Sequence, residues 1–117
     1  MAGVIAKTGW VLSGFRYAYK TQLSIRQEVL CLLAAPPAAW FLATGPWEMV
    51  ALIGVLLLLL AVELLNSCVE AICDHVTPEM HPLIKVIKDM GAAAVFTVIV
   101  LAALVWGCAL LQRLGAF

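Results

Sequence analysis

The sequence predicts an all-α membrane protein, with three transmembrane helices preceded by an amphipathic helix lying on the membrane surface. Three observations carry this expectation. Hydrophobic residues make up 65% of the 117 residues and charged residues only 12%, about half the charge of an ordinary globular chain. A soluble chain this short keeps too much of its surface exposed to hide so much apolar side chain. The apolar residues fall into three runs separated by polar turns, and six of the seven basic residues lie on one side of those runs.

The N-terminal segment, residues 1–27, is expected to be the surface helix. On a helical wheel Val4, Ile5, Val11, Leu12, Phe15, Tyr19 and Leu23 share about a third of the circumference, with Ser13 and Lys20 opposite. A helix of that kind lies in the membrane interface. A soluble helix packed on a partner would show the same periodicity. The segment contains Lys7, Arg16, Lys20 and Arg26 and is too long for the n-region of a signal peptide, so no cleavable leader is expected.

The first span is expected over residues 29–44. It is short and carries Pro36 and Pro37, which remove two backbone donors and predict a kink or break. The second span is expected over 49–72 and the third over 88–111. The apolar part of the third, Gly91 to Leu111, gives about 31 Å of helix against a hydrocarbon core of about 30 Å. Lys85 and Lys88 lie between the second and third spans, while the turn TGPWE between the first two has no basic residue. The positive-inside rule therefore puts the N-terminus and the loop between spans two and three in the cytoplasm and the C-terminus outside. Trp40 and Trp47 mark the outer interface. Cys31, Cys68, Cys73 and Cys108 show no C-x-x-C spacing and read as small packing residues. The net charge is zero and no basic stripe exists, which excludes nucleic acid as an expected partner.

The chemistry is concentrated in VELLNSCVEAICDH, Val62 to His75. On an α-helix Glu63, Asn66, Glu70 and Asp74 fall within an arc of about 80°. If hydrocarbon begins near Met49, Glu63 lies about 21 Å across and Glu70 about 32 Å, which puts Glu63 inside the membrane and Glu70 at its cytoplasmic edge. A charged side chain at the bilayer centre costs on the order of 2.5–3.5 kcal/mol, so this face must meet protein, water or ligand. One reading is a hydrogen-bonded seam between helices. The other is a functional site, because Lys85, Lys88 and Asp89 open the third span at the same level, followed by Gly91, Ala92, Ala93 and Ala94. Acids for a divalent cation beside lysines for phosphates are the parts of a phosphoryl-transfer site. No P-loop or G-x-G-x-x-G motif is present. A proton-coupled transporter would place its acid nearer the midplane.

At these residues the chain resembles the bacterial integral-membrane diacylglycerol kinases, a family that also contains undecaprenol kinases. The resemblance rests on RQE at Arg26 to Glu28, VELLNSCVEAICD at Val62 to Asp74 and KDMGAAAV at Lys88 to Val95, and it covers essentially the whole chain. It implies a homotrimeric helix bundle in the bacterial inner membrane with active sites shared between protomers. It further implies transfer of the γ-phosphoryl of MgATP to the primary hydroxyl of diacylglycerol or of a polyprenol. In that scheme Glu63 is the general base, Asn66 orients the catalytic groups and Glu70 is the Mg²⁺ ligand. Lys88 neutralises phosphate charge, Glu79, His81 and Asp89 contribute to ATP binding, and Arg26, Gln27 and Glu28 lie near the lipid headgroup. The chain departs from the family pattern at three places. Gln22 stands where the family has a second metal-binding Glu, Ala92 where it often has Ser, and Pro36-Pro37 is unexpected. A neutral amide is a poorer Mg²⁺ ligand than a carboxylate, so a non-catalytic lipid-binding member weakened at Gln22 is the other class to be tested.

Overall fold

The computed structural model describes residues 3–76 and 81–116. These form four helices, α1 (Val4–Thr21), α2 (Leu23–Leu42), α3 (Pro46–Val76) and α4 (Pro82–Arg113). The expectation of an all-helical chain holds. Two helices, α3 and α4, are long and apolar enough to cross a membrane.

The N-terminal helical segment breaks at Gln22, so Leu23 to Gln27 open α2 instead of ending α1. The backbone at Gln22 is extended (φ −117°, ψ 115°), and it serves both helices. Its N–H donates to the Ala18 carbonyl at 2.8 Å, and its carbonyl accepts from the Arg26 N–H at 3.2 Å. Thr21 Oγ1 donates to the Tyr17 carbonyl, occupying another acceptor that a helix end leaves open. No glycine or proline dictates this break. Packing does: Ile25 is fully buried in a cluster with Ala18 and Leu60, joined by Val29, Leu32 and Leu64.

A kink or break was expected at Pro36 and Pro37; helix α2 continues through both, so it does not break there. The two prolines leave the carbonyls of Leu32 and Leu33 without their helical donors. Both prolines are exposed, while Ala35 and Ala39 on the facing side are buried. Ala39 packs with Leu52 of α3 and Ala109 of α4, and such packing supports the helix across the missing bonds.

The α2–α3 turn ends in a capped helix start. Pro46 occupies the first turn of α3, and the Glu48 carboxylate reaches back to accept from the Thr44 N–H at 3.2 Å and from the Thr44 hydroxyl. An acid in this position also opposes the positive helix end. At the same end of the molecule Ala39, Leu52 and Ala109 form a second buried cluster. There Trp106 Nε1 donates to the Leu52 carbonyl at 3.0 Å, pinning α4 to α3, and Arg113 stacks 4.6 Å from the centre of the Phe41 ring. Helix α4 ends in a Schellman arrangement, with Gly115 at φ +83° and the Ala116 N–H bonded to the Leu111 carbonyl at 2.9 Å.

Helices α3 and α4 have 31 and 32 residues, or about 46 and 48 Å. Each is therefore longer than a hydrocarbon core by about three turns. The turns beyond the core carry Glu70 and Asp74 on α3 and Lys85, Lys88 and Asp89 on α4.

Candidate phosphoryl-transfer site

The site is built where α3 faces α2 on one side and α4 on the other. Successive polar residues of α3 divide between these two neighbours. Glu63 turns to α2, where its Oε1 accepts from Ser24 Oγ at 3.0 Å. Asn66, one turn on, turns to α4. It is the buried polar side chain among the described residues, 9% exposed, and its Nδ2 donates to Glu70 Oε1 at 3.3 Å. Asp74 again turns to α4, where Lys88 Nζ bonds its Oδ1 at 2.6 Å. The column expected on one face of α3 thus lines the groove between α2 and α4.

Close approach of α3 and α4 depends on one glycine. A Cβ on Gly91 would lie 2.1 Å from Asn66 Oδ1 and 3.2 Å from its Cγ. The small-residue run at the start of the third span therefore accommodates the Asn66 amide. That Oδ1 is buried and has no hydrogen-bond partner among the described residues, an arrangement that structures ordinarily avoid.

Glu28 sits on α2 one turn after Ser24 and is half-buried, with Oε2 enclosed and unpartnered. It precedes the first apolar run. Burial, and then repulsion from Glu63, push its carboxyl up to about 7. Glu28 and Glu63 are therefore close enough to repel each other. Arg26 and Gln27 are exposed on the first turns of α2 and are not brought into this cluster. RQE is thus divided, one residue inward and two outward, as the 100° step of a helix requires.

The remaining expected nucleotide contacts lie at the mouth. Asp89 is exposed and paired with Lys85 at 2.8 Å. His81 caps α4, its Nδ1 accepting from the Leu83 N–H at 3.1 Å, so that nitrogen is engaged and Nε2 is the one left for a ligand. Glu79 lies outside the described residues. Beside the groove, Trp10, Phe15, Tyr17, Gln22, Leu64 and Cys68 help to line a cavity of about 450 Å³ between α1 and α3. Its walls are mainly apolar and suit an acyl chain better than a polar group.

One participant, Ser24, was missed by sequence reasoning. Ser24 lies in none of the motifs and has no periodic signal. Asp74 was placed in the column, but its pairing with Lys88 follows from how α3 and α4 cross. Among the described residues no three His, Cys, Asp or Glu side chains gather as a metal cage.

Comparison with known proteins gives the family. The family described as Prokaryotic diacylglycerol kinase matches residues 9–110, from within α1 to near the end of α4. A diacylglycerol kinase of Pseudomonas aeruginosa is 41% identical over 108 residues, covering 92% of this chain and 88% of that protein. One from Escherichia coli K12 is 37% identical, covering 96% and 92%, and one from Haemophilus influenzae is 35% identical, covering 89% and 88%. The matched residues extend through all four helices, so this chain belongs to the prokaryotic diacylglycerol kinase family.

Proposed function

We propose that the chain is an ATP-dependent membrane lipid kinase that phosphorylates the primary hydroxyl of 1,2-diacylglycerol, giving phosphatidic acid and ADP. The observation that carries this reading is the graded polar wall of α3. Glu63 is half-buried and receives one hydroxyl bond, Glu70 is oriented by Asn66, and Lys88 stands at the mouth. A lipid hydroxyl arrives from within the bilayer and meets Glu63. ATP arrives from water and meets Glu70 and Lys88.

The residues divide the work as follows. Glu63 takes the proton of the lipid hydroxyl as its oxygen attacks the γ-phosphorus, and the bond from that phosphorus to the β-phosphate bridging oxygen breaks to release ADP. Asn66 holds the Glu70 carboxylate through Nδ2. Lys88 exchanges Asp74 for a phosphate oxygen; the Lys88–Asp74 pair is largely water-exposed, so opening it carries little penalty. Lys85, Asp89, His81 and Glu79 frame the nucleotide, and Arg26, Gln27 and Glu28 lie on the lipid side.

Magnesium fits this donor set in one way. Mg²⁺ is commonly held by one or two carboxylates together with substrate phosphates and water, and Glu70, fixed at Oε1 by Asn66, offers one such carboxylate. Bound there, the ion would offset charge on the phosphates. We place the site at the cytoplasmic face of a bacterial inner membrane, with the apolar part of α2 as a third span and the protein as a homotrimer whose sites draw on neighbouring protomers.

Transfer of radiolabelled γ-phosphate to diacylglycerol and to undecaprenol, each in mixed micelles with the purified protein, tests the reading. Labelled phosphatidic acid is expected. Label on undecaprenol alone moves the chain to the polyprenol branch of the fold, and label on neither lipid makes it a non-catalytic member. Position 22 separates weakness at the metal from absence of chemistry. Gln22→Glu adds a carboxylate at the α1–α2 junction and is expected to raise Mg²⁺-dependent turnover several-fold at limiting Mg²⁺. An unchanged Mg²⁺ titration would remove position 22 from the metal set.

A further inference from the structure

Ser24 makes the one side-chain hydrogen bond that Glu63 has among the described residues. We propose that Ser24 is a positioning residue for phosphoryl transfer, holding the Glu63 carboxylate by Oε1 so that Oε2 is left to take the proton. This rests on the reading of Glu63 as the general base.

The geometry favours positioning over incidental contact. A serine in the first turn of a helix ordinarily bonds its own backbone, whereas Ser24 Oγ reaches across to α3, 39 residues away in sequence. The neighbouring Ile25 is fully buried against Leu60, which lies one turn before Glu63 on α3. Packing of Ile25 on Leu60 therefore sets the register that brings Ser24 to Glu63. The extended backbone at Gln22 supplies the turn that points this part of α2 at α3.

Attraction and repulsion act together on Glu63. The Ser24 hydroxyl donates to the carboxylate, a charge-assisted bond, while Glu28 stands one turn further along α2 and repels it. A glutamate has three rotatable side-chain bonds and loses much freedom when fixed. The Ser24 hydroxyl bond to Oε1 selects one arrangement of it. Small displacements of a reacting group lower turnover steeply, so a residue that never touches the substrate governs kcat through Glu63.

The test uses the full-length protein in mixed micelles. Ser24→Ala is expected to lower kcat roughly tenfold with the KM values for ATP and lipid changed by less than about twofold, because neither substrate touches Ser24. Ser24→Thr keeps the hydroxyl and is expected to restore most of kcat. In a Glu63→Asp background, where the shorter side chain withdraws from Ser24, adding Ser24→Ala is expected to change nothing. A loss of kcat that threonine does not restore, or one that persists in the Glu63→Asp background, would assign Ser24 a packing role and overturn the proposal. Wild-type kcat in Ser24→Ala, alongside an inactive Glu63→Gln, would overturn positioning and leave the base standing. An active Glu63→Gln would overturn the base reading itself.

Discussion

Glu63→Gln is expected to yield a folded protein that binds ATP yet phosphorylates lipid about 10²–10⁴-fold more slowly. The substitution changes charge and basicity while keeping shape. The glutamine carbonyl oxygen still accepts from Ser24 Oγ, which reaches Glu63 Oε1 at 3.0 Å, so the α2–α3 contact survives. The amide also removes the like charge that faces Glu28, and thermal stability is therefore expected to be unchanged or slightly higher. That combination, lost turnover without lost stability, separates a catalytic carboxylate from a structural one. A seam between helices predicts the opposite pair of results, with stability falling and no specific loss of the chemical step. Single-turnover transfer of labelled phosphate, measured with thermal unfolding of the same preparation, decides between them. Near-normal transfer by Glu63→Gln would end the assignment of Glu63 as base.

Most of this arrangement is legible in the sequence because it follows from helical period and composition. The 3-, 7- and 11-residue offsets of Asn66, Glu70 and Asp74 from Glu63 fix a common face of α3 before any contact is known. The apolar runs of α3 and α4 identify helices that can cross a membrane, and Gly91 with its alanines marks a place of close helix approach. What period alone leaves open is which neighbour each polar residue meets. Residues only about 60° apart on α3 turn to different helices, Glu63 to α2 and Asn66 to α4, and that division is set by the crossing of three helices.

The junction at Gln22 shows the same limit. The amphipathic wheel continues through Leu23, so the pattern predicts one helix over 1–27, yet the chain turns at Gln22, beside the buried cluster of Ala18, Ile25 and Leu60. Tertiary packing overrides a local periodicity that was real. Ser24 was invisible for a related reason, since a lone serine in a basic, amphipathic stretch carries no signal until α2 is laid against α3. At Pro36-Pro37 a kink or break was expected, and the helix does not break there. Two lost donors weaken an isolated helix, but α2 is held by its buried face of Ala35 and Ala39.

Gly91→Ala is expected to lower both activity and stability, and to do so through Asn66. The added methyl would sit 2.1 Å from Asn66 Oδ1, far inside van der Waals contact, so one partner must move. If Asn66 rotates, its Nδ2 leaves Glu70 Oε1, now 3.3 Å away, and Glu70 loses the donor that orients it. If α4 moves instead, Lys88 is drawn from Asp74 and the lysine-bearing mouth opens. Either route disturbs the phosphate side of the site, so transfer is expected to fall more than tenfold, with a loss of stability of about 1–3 kcal/mol for overpacking a filled position. Gly107→Ala is the matched control on the same helix. Its Cβ would meet nothing within 4 Å, and replacing a mid-helix glycine is expected to raise stability by about 0.5–1 kcal/mol. The double variant Gly91→Ala/Asn66→Ala then separates sterics from chemistry. Removing the Asn66 amide relieves the clash and is expected to recover part of the lost stability, while activity stays low because nothing orients Glu70. Recovery of activity in that double variant would mean that Asn66 only fills space, and that Glu70 finds its place without it.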